Sequence, residues 1–249
     1  MTADLNSLII FTDGACTGNP GPGGWASILV FPEGRVKELG GHNPETTNNR
    51  MELVGALRAL ASLEEAPTPL IYLYTDSTYV IRGITQWIFA WKQRGWRNAE
   101  GNEVSNKDLW EELLRHVIRL KPAKIDWKYV RGHRGVPGNE RCDEIAVAYA
   151  NGKKVKLFDG PLMKYSYAIH DLPEQEELPD MKTHEKKPPA FSYLSYHGGT
   201  VMRHTTWAEC ERRVKGQSQA KFKKAQSEQD ESSILLGWGL DPKTTVIKK

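Results

Sequence analysis

Leu8-Ile9-Ile10-Phe11-Thr12-Asp13-Gly14 is the stretch from which the rest of the chain is read. Four apolar residues in succession predict a strand buried on both faces. The strand exits on a carboxylate and soon meets Gly18-Asn19-Pro20-Gly21-Pro22-Gly23-Gly24, which reads as a turn. A carboxylate at the rim of an apolar core is costly unless it caps a helix, reaches solvent, or meets a ligand that neutralises it.

Downstream, Trp25 to Val30 and Arg35 to Gly41 read as two further strands around a Phe31-Pro32-Glu33-Gly34 turn, an antiparallel meander. A looser stretch from His42 to Thr46 leads to a helix with Met51, Val54, Leu57, Leu60 and Ala61 on one face. Leu70-Ile71-Tyr72-Leu73-Tyr74-Thr75-Asp76 then repeats the opening pattern. A strand–helix–strand unit of this length makes a parallel pair, so Asp13 and Asp76 are expected at one sheet edge. Helical stretches follow to Trp91 and from Asn106 to Leu120. Ile125 to Val130 reads as a strand, the glycine-rich Arg131 to Gly138 as a loop, and a last helix starts near Asn139.

The chain has 249 residues, 39% of them hydrophobic, enough for a sizeable core. No apolar run approaches the roughly 18 residues of a membrane span, and Met1 to Ser7 lacks the features of a signal peptide. Cys16, Cys142 and Cys210 are odd in number and far apart, which favours a reducing compartment and an expected cytoplasmic location. Residues 1–152 net −1, 153–190 net 0 and 191–249 net +4, so the last stretch is the candidate for polyanion contact. Residues 153–190 shift in composition, with prolines and the acidic run from Asp171 to Glu177, and read as linker. From Phe191 strand patterning resumes, followed by a helix from Thr206.

Glu52 on the crossover helix and Asp143 early in the last helix are brought toward Asp13 and Asp76 by this order of elements. Each alone has a plain reading as a turn former, helix cap or solvated helix face. Four converging carboxylates repel one another unless cations lie between them. Hard oxygen ligands suit magnesium, with manganese as the alternative, and a pair of such ions serves in-line phosphoryl displacement. The glycine-rich stretch lacks the Gly-Lys-Ser/Thr ending of a phosphate-binding P-loop.

Phe11-Thr12-Asp13-Gly14, Asn19 to Gly24, Thr47-Asn48-Asn49-Arg50-Met51-Glu52, Thr75-Asp76-Ser77, Gly83-Ile84-Thr85-Gln86-Trp87 and Asn139-Glu140-Arg141-Cys142-Asp143-Glu144 resemble, in order, the motifs of type I ribonuclease H. The resemblance implies an α/β ribonuclease H-like fold over residues 1–152, with a mixed five-stranded sheet and flanking helices. It implies a two-metal endonuclease that cuts the RNA strand of an RNA–DNA hybrid, leaving 5′-phosphate and 3′-hydroxyl ends. Asp13, Glu52, Asp76 and Asp143 become the ligands of two magnesium ions, and His133 a proton shuttle or product-release residue. Cys16, Asn19, Asn48 and Asn49 become readers of 2′-hydroxyls in the minor groove. Thr47 and Asn106 form a pocket for a DNA phosphate. Trp87, Trp91, Lys92, Arg94 and Arg97 form a basic protrusion, thinned here by Gln93, Glu100 and Glu103.

Residues 191–240 resemble the small hybrid-binding, viroplasmin-like domain, an α+β module that usually precedes the catalytic domain and here follows it. The resemblance assigns Trp207, Phe222, Lys223 and Lys224 to the DNA backbone and Tyr193 to the RNA strand, with double-stranded RNA as a second partner. Residues 241–249 are left as a tail, and a monomer is expected. The competing reading is a non-catalytic hybrid or double-stranded RNA binder. It gives no reason for four clustered acids.

Overall fold

The computed structural model describes residues 6–172, 177–179, 190–243, 245 and 247–248. They divide into two compact units, one through residue 180 and the other from 181 onward.

In the first unit β1 (Leu8–Cys16), β2 (Gly21–Val30) and β3 (Arg35–Thr46) form the antiparallel meander. Helix α1 (Asn48–Ala61) crosses to β4 (Leu70–Thr75), which lies parallel to β1, and β5 (Lys124–Tyr129) lies parallel to β4. Between them come α2 (Thr78–Arg82), a π-helical turn (Gly83–Trp87), α3 (Ile88–Gln93) and α4 (Lys107–Arg119); α5 (Pro137–Ala150) follows β5. Residues Leu8 to Gly14 are buried throughout, as a central strand requires. One apolar layer joins the sheet to α1 and α4 through Leu53, Leu57, Leu109 and Leu113. Another joins it to α5 through Phe11, Ile28, Cys142 and Ile145.

Two loops expected from sequence are partly strand. β2 starts at Gly21, inside the glycine-rich stretch, and β3 runs on to Thr46. The glycines serve close packing as well as turning: a Cβ on Gly24 would lie 2.2 Å from the Ala146 carbonyl oxygen of α5.

The expected five-stranded sheet has a sixth strand, and it comes from the stretch read as linker. β6 (Asp159–Pro161) pairs antiparallel with β3, giving the order β5-β4-β1-β2-β3-β6. Ile169 is 1% exposed within the α5 layer, and Val155, Leu157, Phe158, Leu162, Tyr165 and Leu172 pack around that layer. Residues 153–172 are therefore a strap on the body, and the first domain extends past the expected boundary at 152. Their apolar residues follow neither a helical nor a strand period, so composition alone suggested a linker. Of the expected linker, residues 173–176 and 180–189 lie outside the described residues.

The second unit has the sheet order β10-β8-β7-β9, from β7 (Ser192–His197), β8 (Thr200–His204), β9 (Lys221–Ala225) and β10 (Ile247–Lys248). Arg213 of α6 (Trp207–Val214) bonds Ser195 Oγ, whereas Glu231 of α7 (Glu228–Gly237) bonds Ser192 Oγ. Residues 192 and 195 point to opposite faces of β7, so the two helices cover opposite sides of the sheet. Trp238, Leu240 and Ile247 pack on its core and β10 pairs with β8, so the expected boundary at 240 falls inside the module, and the expected 241–249 tail includes a strand. Among the described residues no helix is long and apolar enough to cross a membrane.

If the strap is part of the core, Ile169→Ala should cost about 2–5 kcal/mol in urea unfolding, as for other buried aliphatic truncations. A loss under about 0.5 kcal/mol, the surface range, would show that the strap merely lies on the body.

Candidate active site

The β1–β4 register builds the site. Thr12 pairs with Thr75 across the parallel ladder, so Asp13 and Asp76, the next residues along, leave the sheet together. Glu52 enters from α1, which packs across β1. One carboxylate oxygen from each of Asp13, Glu52 and Asp76 lies within 4.8 Å of the others. Asp13 is 6% exposed and Glu52 5%.

Few donors offset this charge. Gly14 N–H donates to Asp13 Oδ1 at 2.7 Å, Asn48 Nδ2 to Glu52 Oε1 at 3.3 Å, and Asn139 Nδ2 to Asp76 Oδ2 at 3.5 Å. Glu52 Oε2 is buried with no hydrogen-bond partner. Burial, then the neighbouring Asp76 charge, pushes the Asp13 carboxyl up to about 8. Glu52 is raised well above the usual carboxylate range by burial and then by Asp13. Asp76 is raised by burial, partly offset by its bond from Asn139. Three hard oxygen donors, with one oxygen of Glu52 orphaned, fit a divalent cation, whose charge would relieve the repulsion that raises all three groups.

Asp143, on α5, stands apart from this triad. Its side chain is 35% exposed, and Oδ2 lies 4.0 Å from His133 Nδ1. Its charge still acts on Asp13 and Asp76, which puts it at the rim of the same site. His133 has an exposed side chain and a left-handed backbone, φ 54°. The preceding Gly132 packs on Asp76, where a Cβ would lie 2.5 Å from Oδ2.

Of the minor-groove candidates, Asn48 touches the triad through its bond to Glu52. Cys16 Sγ lies 3.5 Å from the Gly21 carbonyl and 3.4 Å from that of Thr46, the exposed Asn19 accepts from Asn48 N–H at 3.2 Å, and Asn49 is exposed. Thr47 and Asn106 occupy the N-cap positions of α1 and α4 without a side-chain capping bond, and Arg50 spans the gap by bonding Asn106 Oδ1 at 3.3 Å and Asp108 through two bonds. Trp87 and Trp91 are half-buried, in a chain of tilted ring contacts that ends on the fully buried Trp110. Lys92 and Arg94 are exposed, while Arg97 donates to the Gly101 carbonyl at 2.7 Å.

In the second unit Trp207 contacts both Tyr193 (5.9 Å between ring centroids) and Phe222 (5.4 Å), with Trp207 and Phe222 well exposed. Lys224 pairs with Tyr193 across the ladder and shares that face. Lys223 alternates to the other face, so the expected group of three neighbours is divided by the strand period.

Sequence reading missed individual roles for Asn139, Arg50 and Gly132. Each lies inside or beside a quoted motif, but its contacts join distant segments, so only the folded chain reveals them.

With a chelator present, a carboxyl whose folded pKa is raised makes the folded state bind protons more tightly than the unfolded state. Stability should therefore fall as pH rises from about 4 toward 8, the window set by Asp13. Asp13→Asn should raise the thermal midpoint at pH 8 and flatten that dependence. A melt in which Asp13→Asn is no more stable than wild type at pH 8 would remove the repulsion argument.

The RNase H family model matches residues 5–151. A ribonuclease H from Thermosynechococcus vestitus is 54% identical over 149 residues, covering 59% of this chain and 91% of the relative. Ribonuclease HI of Pseudomonas aeruginosa is 50% identical over 143 residues, covering 57% of this chain and 93% of that protein. Among solved structures, LC9-RNase H1, described as a type 1 RNase H with the type 2 active-site motif, aligns with a TM-score of 0.53 at 29% identity. That alignment covers 64% of this chain and 80% of the other. With the triad at the β1–β4 edge and more than half of its length matched, this chain belongs to the RNase H family, as a type I member.

Proposed function

We propose that this protein hydrolyses the RNA strand of RNA–DNA hybrids, giving 5′-phosphate and 3′-hydroxyl ends. The observation that carries the reading is the largely buried Asp13–Glu52–Asp76 cluster, with one oxygen of each within 4.8 Å of the others and Glu52 Oε2 left unpartnered. A pure binding protein gains nothing from holding such a cluster, because each acid is destabilised by the next. Asp13, Glu52 and Asp76 would hold divalent cations, with Asp143 completing the set from the rim. Two such ions, when bound, would supply charge stabilisation to the attacking and leaving oxygens of an in-line displacement.

The chain's own residues supply the rest. In the displacement, water adds to phosphorus as the bond to O3′ breaks; the water's proton is lost to a base and O3′ leaves protonated. His133, exposed beside Asp143, is positioned to take and return protons from solvent. Cys16, Asn19, Asn48 and Asn49 would face the minor groove, where 2′-hydroxyls distinguish RNA from DNA. Thr47, Asn106 and the helix N-termini at which they stand would take a DNA phosphate. Lys92 and Arg94 would hold further phosphates beside Trp87 and Trp91.

The second unit is proposed to be a hybrid-binding module. Its exposed Trp207 and Phe222, flanked by Tyr193 and Lys224, form an aromatic and basic face suited to sugars and phosphates. Covalent linkage to the catalytic unit would raise the effective concentration of substrate at the triad.

Asp13→Asn should abolish cleavage of a hybrid in Mg²⁺ while hybrid binding persists; more than a few per cent of wild-type activity would sink the metal assignment. His133→Ala should slow turnover by about 10², the scale of a positioned acid–base group, without shifting the Mg²⁺ midpoint. Truncation after residue 180 keeps the strap and should weaken binding to long hybrids and lower the salt slope by about one per phosphate-bound lysine lost. Equal affinity and slope would remove the second unit from substrate binding, and a loss of affinity confined to double-stranded RNA would reassign it to that duplex.

A further inference from the structure

Glu38 stands where β3, α5 and the strap meet. Its side chain is 0% exposed. Oε1 accepts from Arg141 Nε at 2.7 Å and from the Tyr165 hydroxyl at 2.8 Å. Oε2 accepts from Arg141 Nη2 at 3.1 Å and from Phe158 N–H at 2.9 Å. The donors thus fill the carboxylate's acceptor sites, two from α5 and two from the strap. Arg141 also bonds Glu144 at 3.1 Å and lies 5.0 Å from the Tyr167 ring centroid, so the strap touches the guanidinium through Tyr167 and its partner Glu38 through Phe158 and Tyr165.

Arg141 lies between two residues of the site: Asn139, which donates to Asp76, and Asp143, which faces His133. This end of α5 has no side-chain cap at Val136. It is tied toward the triad through Asn139 and toward the strap through Arg141. The family match ends at residue 151, whereas the groups that tie Glu38 to the strap, at Phe158 and Tyr165, lie beyond it.

We propose that Glu38 is a positioning residue for the carboxylate centre. Held by the strap, it anchors Arg141 and so fixes the end of α5 that presents Asn139 and Asp143 to Asp13 and Asp76. It also keeps the Arg141 charge matched. With Glu38 neutral, only the exposed Glu144 would face the Arg141 charge, which stands two residues from Asp143 and would oppose the binding of a divalent ion. This inference rests on the reading of the triad as a cation-dependent hydrolytic site and adds a support to it from outside the matched region.

The test compares the full chain with Glu38→Gln, Tyr165→Phe and Leu113→Ala. Leu113 is buried in the α4 layer and reports destabilisation alone. Each protein is measured by thermal midpoint, by calorimetric titration with Mg²⁺ in the absence of nucleic acid, and by kcat and KM on a hybrid at saturating Mg²⁺. Glu38→Gln is expected to weaken Mg²⁺ binding or lower kcat about 10-fold with KM little changed, the scale seen when support around metal ligands is lost. Tyr165→Phe, which leaves the Arg141 pair in place, moves the same readouts less. Leu113→Ala lowers the melting midpoint with neither effect.

A Glu38→Gln protein that melts earlier yet titrates and turns over as wild type overturns the proposal. Should that variant fail to fold, a Tyr165→Phe protein with wild-type Mg²⁺ titration and kcat overturns it instead. A wild type that binds Mg²⁺ without cutting hybrid removes the hydrolase reading, and the Mg²⁺ titrations still decide the role of Glu38. Absence of Mg²⁺ binding in all four overturns both.

Discussion

Repulsion among three close carboxylates, two of them buried and the third half-buried, is the constraint on which the first unit depends. Asp13, Glu52 and Asp76 sit at the rim of an apolar sheet, where burial and mutual charge raise all three above their ordinary range. An isolated chain segment would move such groups apart. Here they are attached to a central strand, its parallel neighbour and the helix that crosses between them, elements fixed by extensive apolar packing. The fold's stability thus holds together a site that is itself destabilising, which is how preorganised catalytic centres arise.

The opposite layer does similar work for Asp143. Helix α5 lies so close to β2 that Gly24 has no room for a side chain, and the strap completes the layer with Ile169. The strap's polar anchor is a buried ion pair. Such pairs add little net stability compared with apolar packing, but breaking one is costly, so they specify geometry. Glu38 and Arg141 fit that description, since all four acceptor sites of the carboxylate are used.

The second unit follows another logic. Its core is small, and polar networks such as Arg213 with Ser195 and Arg203 with Glu231 supplement the apolar contacts of each helix with the sheet. The rings of Trp207 and Phe222 lie outside that core and stay exposed. Exposed aromatics grouped beside a lysine-rich edge strand are the observation behind the binding role proposed for this unit.

The opening strand, the repeat of its pattern at Leu70–Asp76 and the helical spacing from Met51 to Leu60 were sufficient to place Asp13, Glu52 and Asp76 at one edge. Local apolar runs and a single parallel crossover determine that much, because a buried strand has only one way to present its exit residue. Tertiary structure alone decided the rest. The strap carries no periodic signal, so its sixth strand and its buried Ile169 exist only through β3 and α5. Asp143 stands at the rim because the packing of α5 sets its distance, which sequence spacing cannot encode. Lys223 parts from Phe222 and Lys224 because the register with β7 fixes which face each side chain takes. The partnership of Glu38, Arg141 and Tyr165 joins residues far apart in the chain, and contacts of that kind become defined only when the layers close.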